Sequence, residues 1–412
     1  MRADAVTAEI SSADPYSYTS KIATLKPGDT LRLMPGVYRQ GLLLHGLQGK
    51  SDGPITIEGD ASGAGTVFVA RPGANTVSIK NAAHLVLRSL VLDGAHLPVD
   101  AVKAEGTSKF AHHITLERLT IVNHGIDQQV IGISTKCPAW GWIIRDNVIR
   151  GAGTGIYLGN SDGSAPFVGG LIEGNLIVDT VGYNLQIKHQ KMRPAIMPIE
   201  PMQTVIRHNV FSKANGGSSG TLARPNVLLG HFPLSGAGGE DEYRVHGNFF
   251  HDNPHESLLQ AEGNVSIHDN IFVNGHGDAV RIQPHHAEPR RVVLSHNTIV
   301  ARGVGIGIRG GNVQHRQAVV ANAVFAGTPL QGGEQRWNVT GTYEAAGEML
   351  VAPFERLGEL DFSPRGRQLD LPVTADNDGL PADRLDFYGR ERRTPSAGAI
   401  APGIPAPWRL GH

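Results

Sequence analysis

Lys188, followed by His189, closes a short alternating segment, Asn184-Leu185-Gln186-Ile187-Lys188, just before a long stretch without apolar alternation. A lysine acts as a base only when its ammonium form is destabilised by burial or by neighbouring cations. Two such cations stand at comparable places in later segments. His231 closes Asn226-Val227-Leu228-Leu229-Gly230-His231, and Arg281 lies within Ala279-Val280-Arg281-Ile282. Such a trio suits abstraction of a weakly acidic proton α to a carboxylate. The lysine takes the proton, and the other two stabilise the charge that develops on the carboxylate. The plainer reading of Lys188 is a solvated surface lysine.

The elements that must hold these residues are repeats. Ile143-Ile144-Arg145-Asp146-Asn147-Val148-Ile149 returns as Leu171-Ile172-Glu173-Gly174-Asn175-Leu176-Ile177, again around Asn209, Asn248, Asn270 and Asn297, and more weakly around Asn322. The asparagines recur at intervals of roughly 22–39 residues with strand-type alternation, the mark of a solenoid whose copies stack to bury their apolar faces. Two or three strands of about 4–6 residues plus tight turns use roughly 22–25 residues per coil. That predicts an all-β, single-stranded right-handed parallel β-helix. A leucine-rich repeat is excluded by the missing Leu pattern and helical return. Asparagine suits the turns because it tolerates the left-handed conformation and its amide can bond the next coil. The longer intervals are coils with inserted loops, 190–203, 215–224 and 233–241, expected to wall a groove.

Alternation sorts the side chains. With Leu185 and Ile187 inside, Asn184, Gln186 and Lys188 point out. With Ile156 and Leu158 inside, Tyr157 points out. With Val280 and Ile282 inside, Arg281 and Gln283 point out, followed by His285. His231, Gln260 and Glu262 fall near the same face. Strands about 4.8 Å apart stack these into one row of amides, a ring and cations, suited to an extended anionic sugar polymer. Tyr183, His189, Arg193 and Arg224 flank the row as further substrate contacts, and Tyr157 and Tyr183 are candidate acids for a leaving oxygen.

The opening, Leu25-Lys26-Pro27-Gly28-Asp29-Thr30, Pro35-Gly36-Val37-Tyr38 and Gly53-Pro54-Ile55-Thr56-Ile57, resembles that of secreted parallel β-helix proteins of the pectate-lyase-like kind. Among these are the chondroitinase-B-like and alginate-lyase-like polysaccharide lyases. Asn184–Lys188, the return strand Val205-Ile206-Arg207-His208-Asn209 and the end Gly230-His231 look like the catalytic coils of those enzymes. The resemblance implies a metal-independent lyase cleaving a uronic-acid polysaccharide by β-elimination, with Lys188 at the base position and His231 beside it. The family's arginine position falls on Gly230, so Arg281 or Arg224 must supply the cation. Its acidic calcium ligands are replaced by Val181, Gly182 and Tyr183, so no cofactor is expected.

A net charge of −1 excludes nucleic-acid binding by bulk electrostatics. The 52 glycines and 6% aromatic content fit a turn-dense β chain. No apolar run is long enough to span a membrane. Cys137 is expected to be an inert thiol, partly buried. His84, His112, His113, His208, His268 and His296 sit at turn or return-strand positions and are expected to be structural, with no H-x-x-x-H or C-x-x-C spacing to suggest zinc. Residues 1–32 read as a cap with a helix from Ser20 to Leu25, 33–329 as coils, and 330–412 as a closing segment with a Pro-rich tail at Pro402, Pro405 and Pro407. The whole reads as one domain and one monomer, secreted or periplasmic, its signal peptide absent from this sequence. Three other readings stay open. A glycoside hydrolase would need paired carboxylates, here only Glu262, Asp278 and Asp162. A uronate epimerase shares the proton abstraction, and a non-catalytic carbohydrate-binding β-helix needs no cation cluster.

Overall fold

The computed structural model describes residues 6–14, 16–60, 65–106, 109–372, 385–403 and 410. The chain divides into two compact units, Met1–Val205 with Phe232–Asp241, and Ile206–His231 with Glu242–His412.

Each coil of the first unit has three strands, and each strand pairs in parallel with its counterpart one coil away. A coil reads Ala111–Glu117, Thr120–Val122, Ile131–Thr135, and the next reads Ile143–Arg145, Val148–Arg150, Thr154–Leu158. Parallel in-register strands stack equivalent side chains, so a charged position repeated in every coil would repel itself. The return strands avoid this by alternating sign. Arg32 and Arg88 meet Glu58 at 3.0 and 2.6 Å, and Arg88 and Arg145 meet Glu117 at 3.4 and 2.5 Å. Burial alone would raise both carboxyls, but the guanidinium hydrogen bonds outweigh it and hold Glu58 and Glu117 below the usual carboxylate range.

The second unit repeats the plan along Glu242–His246, Val265–His268, Val292–Ser295, Gln317–Val320 and Glu334–Arg336. Its interior stacks Phe211, Phe250 and Phe272, with ring centroids 5.1 and 4.4 Å apart. At one corner runs a buried amide ladder. Each Nδ2 donates to the next Oδ1, from Asn209 through Asn248, Asn270, Asn297 and Asn322 to Asn338, at 2.9–3.0 Å. In the first unit Asn147 donates likewise to Asn175 at 2.9 Å. The left-handed turn is not held by these asparagines, contrary to the sequence expectation. It falls on the residue before each: Asp146, Gly174, His208, Gly247, Asp269, His296, Ala321 and Trp337 all have φ between 52° and 65°. The kink turns the following amide inward, where it satisfies the corner's backbone.

Two boundaries differ from expectation. The first helix is Ser17–Ile22, one turn earlier than Ser20–Leu25, because Asp14 Oδ1 accepts from the Tyr16 and Ser17 amides and starts the turn there. Its Tyr18 is buried against Tyr38 and Phe68, and a strand, Thr7–Ile10, precedes it and pairs with Thr30–Leu33. The coils also run on past 329 to the strand Val339–Gly341, on the Asn338 rung. Beyond them Leu350, Phe362, Phe387 and Ile400 cover the coil residues Val300 and Phe325. Pro405 and Pro407 lie outside the described residues. Cys137 is fully buried, which pushes its thiol up to about 12 and leaves it unreactive.

Candidate functional site

One strand from each coil of the first unit contributes to an outward face. Register places Leu43, Ser78, Lys103, Ser134, Tyr157 and Gln186 in one file. Two residues further on, the strand ends give a second file: His45, Lys80, Glu105, Lys136, Gly159 and Lys188. Its order follows from the amide bonds of Gly46 to Lys80, Glu105 to Ile79, Lys136 to Ala104 and Lys188 to Leu158.

Lys188 therefore does lie on the outward face, half-buried, as alternation predicts. Its neighbours in this unit are ones that the sequence reading missed. Lys136 Nζ sits 3.3 Å from the centroid of the Tyr157 ring. Burial pushes Lys136 down to about 8, helped by the like charges of Lys103 and Lys188 and opposed by Asp100. Lys103 meets Asp100 at 3.1 Å, and Asp100 is itself fixed by the Ile131 amide at 2.9 Å. Burial also raises Tyr157, whose hydroxyl contacts Ser161 Oγ at 3.4 Å, so the phenol keeps its proton near neutrality.

Between the two lysine positions stands Gly159. Its φ of +88° is set by its amide, which donates to Thr135 Oγ1 at 2.8 Å. A Cβ there would lie 3.4 Å from the Lys188 Cβ. The absent side chain leaves a slot in the file between Lys136 and Lys188, lined by the Lys188 stem and the Ala165 carbonyl. Further along the face, His45 Nε2 is 2.7 Å from Ser78 Oγ, which donates to Glu105. These three border an open cavity of about 400 Å³ with Asn75 and Pro98. Continuing the alternation of Ile131 and Ile133 along the same strand would have found Ser134 and Lys136.

Other expected contacts are corrected. Asn184 points inward, fully buried, and donates to Thr180 Oγ1 at 3.0 Å, because it ends the turn before its strand. Gln186 keeps the outward register but is buried. Arg193 is no groove cation. It forms a buried ion pair with Asp241 and donates to the Pro198 and Glu200 carbonyls at 2.6 and 2.8 Å, fastening the 190–203 insertion to 233–241. Tyr183 is half-buried, its carbonyl accepting from Gly155 at 2.9 Å, and the half-buried His189 packs its ring against Gly163.

The remaining candidates belong to the second unit, where Leu228, Gln260, Arg281 and Gly307 share a register. His231 is buried, its Nε2 donating to the Glu288 carbonyl at 3.2 Å. Arg281 is held by Asp278 through bonds of 2.9 and 2.5 Å. Glu262 is buried and accepts from the His286 amide and Nδ1 at 2.8 and 3.0 Å, so it is not a surface acid. Gln260 bonds Ser257 at 3.2 Å, Gln283 is half-buried, and His285 is exposed against the His286 ring. Arg224 bonds its own loop, at the Thr221 and Ala223 carbonyls. The sequence gives no sign of Lys213, which is fully buried, donates to the Arg224 carbonyl at 2.9 Å and is pushed by burial down to about 8.

Comparison with known proteins agrees with the architecture. A family described as "Right handed beta helix region" matches residues 131–325. The fold is similar to that of an alginate lyase from Paenibacillus sp. str. FPU-7, at 16% identity over 81% of this chain and 97% of that one, with a TM-score of 0.52. It is also similar to the PL6 family alginate lyase AlyGC, at 12% identity over 82% of this chain and 52% of that one, with a TM-score of 0.51. No curated protein matches the chain. At these identities the likeness establishes the fold: the chain is a right-handed parallel β-helix protein.

Proposed function

We propose that this protein is a polysaccharide lyase that cleaves a uronic-acid-containing polymer by β-elimination at the Lys136–Tyr157–Lys188 slot. The observation that carries this reading is the half-buried Lys136 ammonium, held over a tyrosine ring near other lysines and pushed down to about 8. A cationic slot on a rigid sheet face suits a sugar carboxylate, and the same ammonium groups stabilise the enolate-like charge formed when the C5 proton leaves. Roughly one Lys136 in ten is neutral at pH 7, enough for a base whose conjugate acid lies near the working pH. Lys136 takes the C5 proton, Lys188 binds the carboxylate, and Tyr157 gives its proton to the departing O4. The sequence-based assignment of the base to Lys188 becomes a second reading, favoured by that residue's outward position at the far edge of the slot.

The likeness in fold to two proteins described as alginate lyases supports trying alginate first. Arginine retains charge but cannot act as a base. Product formation on alginate and other uronate polymers, followed by NMR of the unsaturated chain end, is therefore expected to vanish in Lys136→Arg and persist, weakened, in Lys188→Arg. The opposite pattern assigns the base to Lys188. Full activity in both variants would refute the slot. Retention of the linkage with inversion at C5 would identify an epimerase instead.

A further inference from the structure

Away from this face, the return strands of the first unit bring three histidines together. His84 lies in Ala82–Arg88, and His112 and His113 lie in the adjacent parallel strand Ala111–Glu117, with Ala83 opposite His112. One ligand nitrogen of each lies within 4.8 Å of the other two, the only such group of three metal-binding side chains among the described residues. His84 and His113 stack with centroids 4.6 Å apart and 13° between planes, and the Nδ1 atoms of His112 and His113 are 2.7 Å apart. Trp140 stacks on His112 at 4.3 Å and restricts that ring. No helical H-x-x-x-H spacing is involved. The coil repeat, not a helical turn, brings the rings together.

A kink can carry an imidazole on turn geometry alone, as at His208 and His296, so what points to a ligand here is the convergence of three rings. His84 and His113 occupy left-handed backbone at φ 51° and 52°, and the same register in the following coils is filled by Gly141 and Gly169, at 64° and 60°. Glycine takes that conformation without the penalty a side chain carries. Two successive coils instead place histidine there, and a Cβ on Gly141 would meet the His113 ring at 2.9 Å, so the coil above leaves room for it.

We propose that His84, His112 and His113 bind one divalent transition ion, zinc or copper, through three imidazole nitrogens, joining two consecutive coils. Neutral nitrogen donors favour these ions over calcium or magnesium, which take oxygen ligands. In the metal-free state one of the two close Nδ1 atoms carries the proton shared between them. On binding, that ring shifts its proton to Nε2 and presents a lone pair, so no net proton is released.

The test is calorimetric titration of the untagged, chelator-stripped full chain with zinc chloride and, separately, copper chloride. Binding of one ion per chain is expected, with a dissociation constant in the micromolar range or tighter, about the strength of a three-imidazole site. His84→Gly and His113→Gly place at each kink the residue that neighbouring coils already use, so both variants keep the fold. Each should weaken binding by roughly tenfold or more, and the double variant should abolish it. His285→Ala with His286→Ala should change nothing. Absence of one-to-one binding by either ion, or binding that survives the His84→Gly/His113→Gly double variant, overturns the proposal.

Discussion

Replacing Asn270 with alanine removes a centre on which the second unit's corner depends. Its Nδ2 donates to the Val245 carbonyl at 2.9 Å, to the His268 carbonyl at 3.0 Å and to Asn297 Oδ1 at 3.0 Å. Its Oδ1 accepts from the Asn248 amide at 3.0 Å and from Asn248 Nδ2 at 2.9 Å. Alanine leaves all of these neighbours in place and withdraws their partner. The Asn297 oxygen keeps the backbone amide of residue 270, one coil away, at 3.1 Å, and Asn248 Nδ2 keeps the Ile206 and His246 carbonyls. The group that loses most is the Asn248 amide, whose acceptor is withdrawn. Each buried polar group left unmet costs about 1–3 kcal/mol, so a loss of about 3–5 kcal/mol is expected once a small cavity is included. Urea denaturation followed by circular dichroism should show the midpoint falling at an unchanged slope. Asp269→Gly, at the left-handed kink next door, is the contrasting variant, since glycine suits that φ of 52° but gives up the Arg392 ion pair. A change within about 0.5 kcal/mol for Asn270→Ala, the range of ordinary surface substitutions, would refute the view that the ladder holds the corner.

Three further outcomes follow from the same geometry. Arg193→Ala strands the buried Asp241 carboxylate and should cost about 3–5 kcal/mol of stability, read as a lowered melting temperature, with early proteolysis inside 190–203. Gly159→Ala places a methyl at φ +88° beside Lys188; it should cost about 1 kcal/mol in stability and reduce turnover far more than that loss explains. Lys136 is lowered to about 8, and the proposed base works in its neutral form, so kcat/KM on a uronate polymer should rise with pH through about 8 and level off above it; a rate that falls across this range contradicts the assignment.

The β-helix was legible because stacking forces a repeat: the Asn-centred phrase marks each corner, and alternation marks each strand. The outward position of Lys188 followed from Leu185 and Ile187 alone. Alternation fails at strand ends: it predicts Asn184 outside, but the side chain turns in toward Thr180. Long-range pairing is also invisible along the chain. Nothing near Arg193 announces Asp241, and nothing near Glu262 announces His286. Lys136 went unread for a different reason. Its coil lacks the asparagine phrase that drew notice to later ones, although Ile131 and Ile133 set its register just as clearly. The earlier corners at Leu90 and Leu119 follow the kinks of Ser89 and Arg118 without an amide, so the repeat is geometric before it is chemical.

The most direct measurement is the ultraviolet absorbance of the conjugated, unsaturated uronate that β-elimination leaves at a new chain end, followed on alginate, pectate, glycosaminoglycans and bacterial uronate exopolysaccharides. The slot predicts a steady rise on at least one of these polymers with the native protein. It predicts none with Lys136→Ala or Tyr157→Phe, both retaining the native circular dichroism. A flat trace on every polymer, or an undiminished rise with Lys136→Ala, would contradict it.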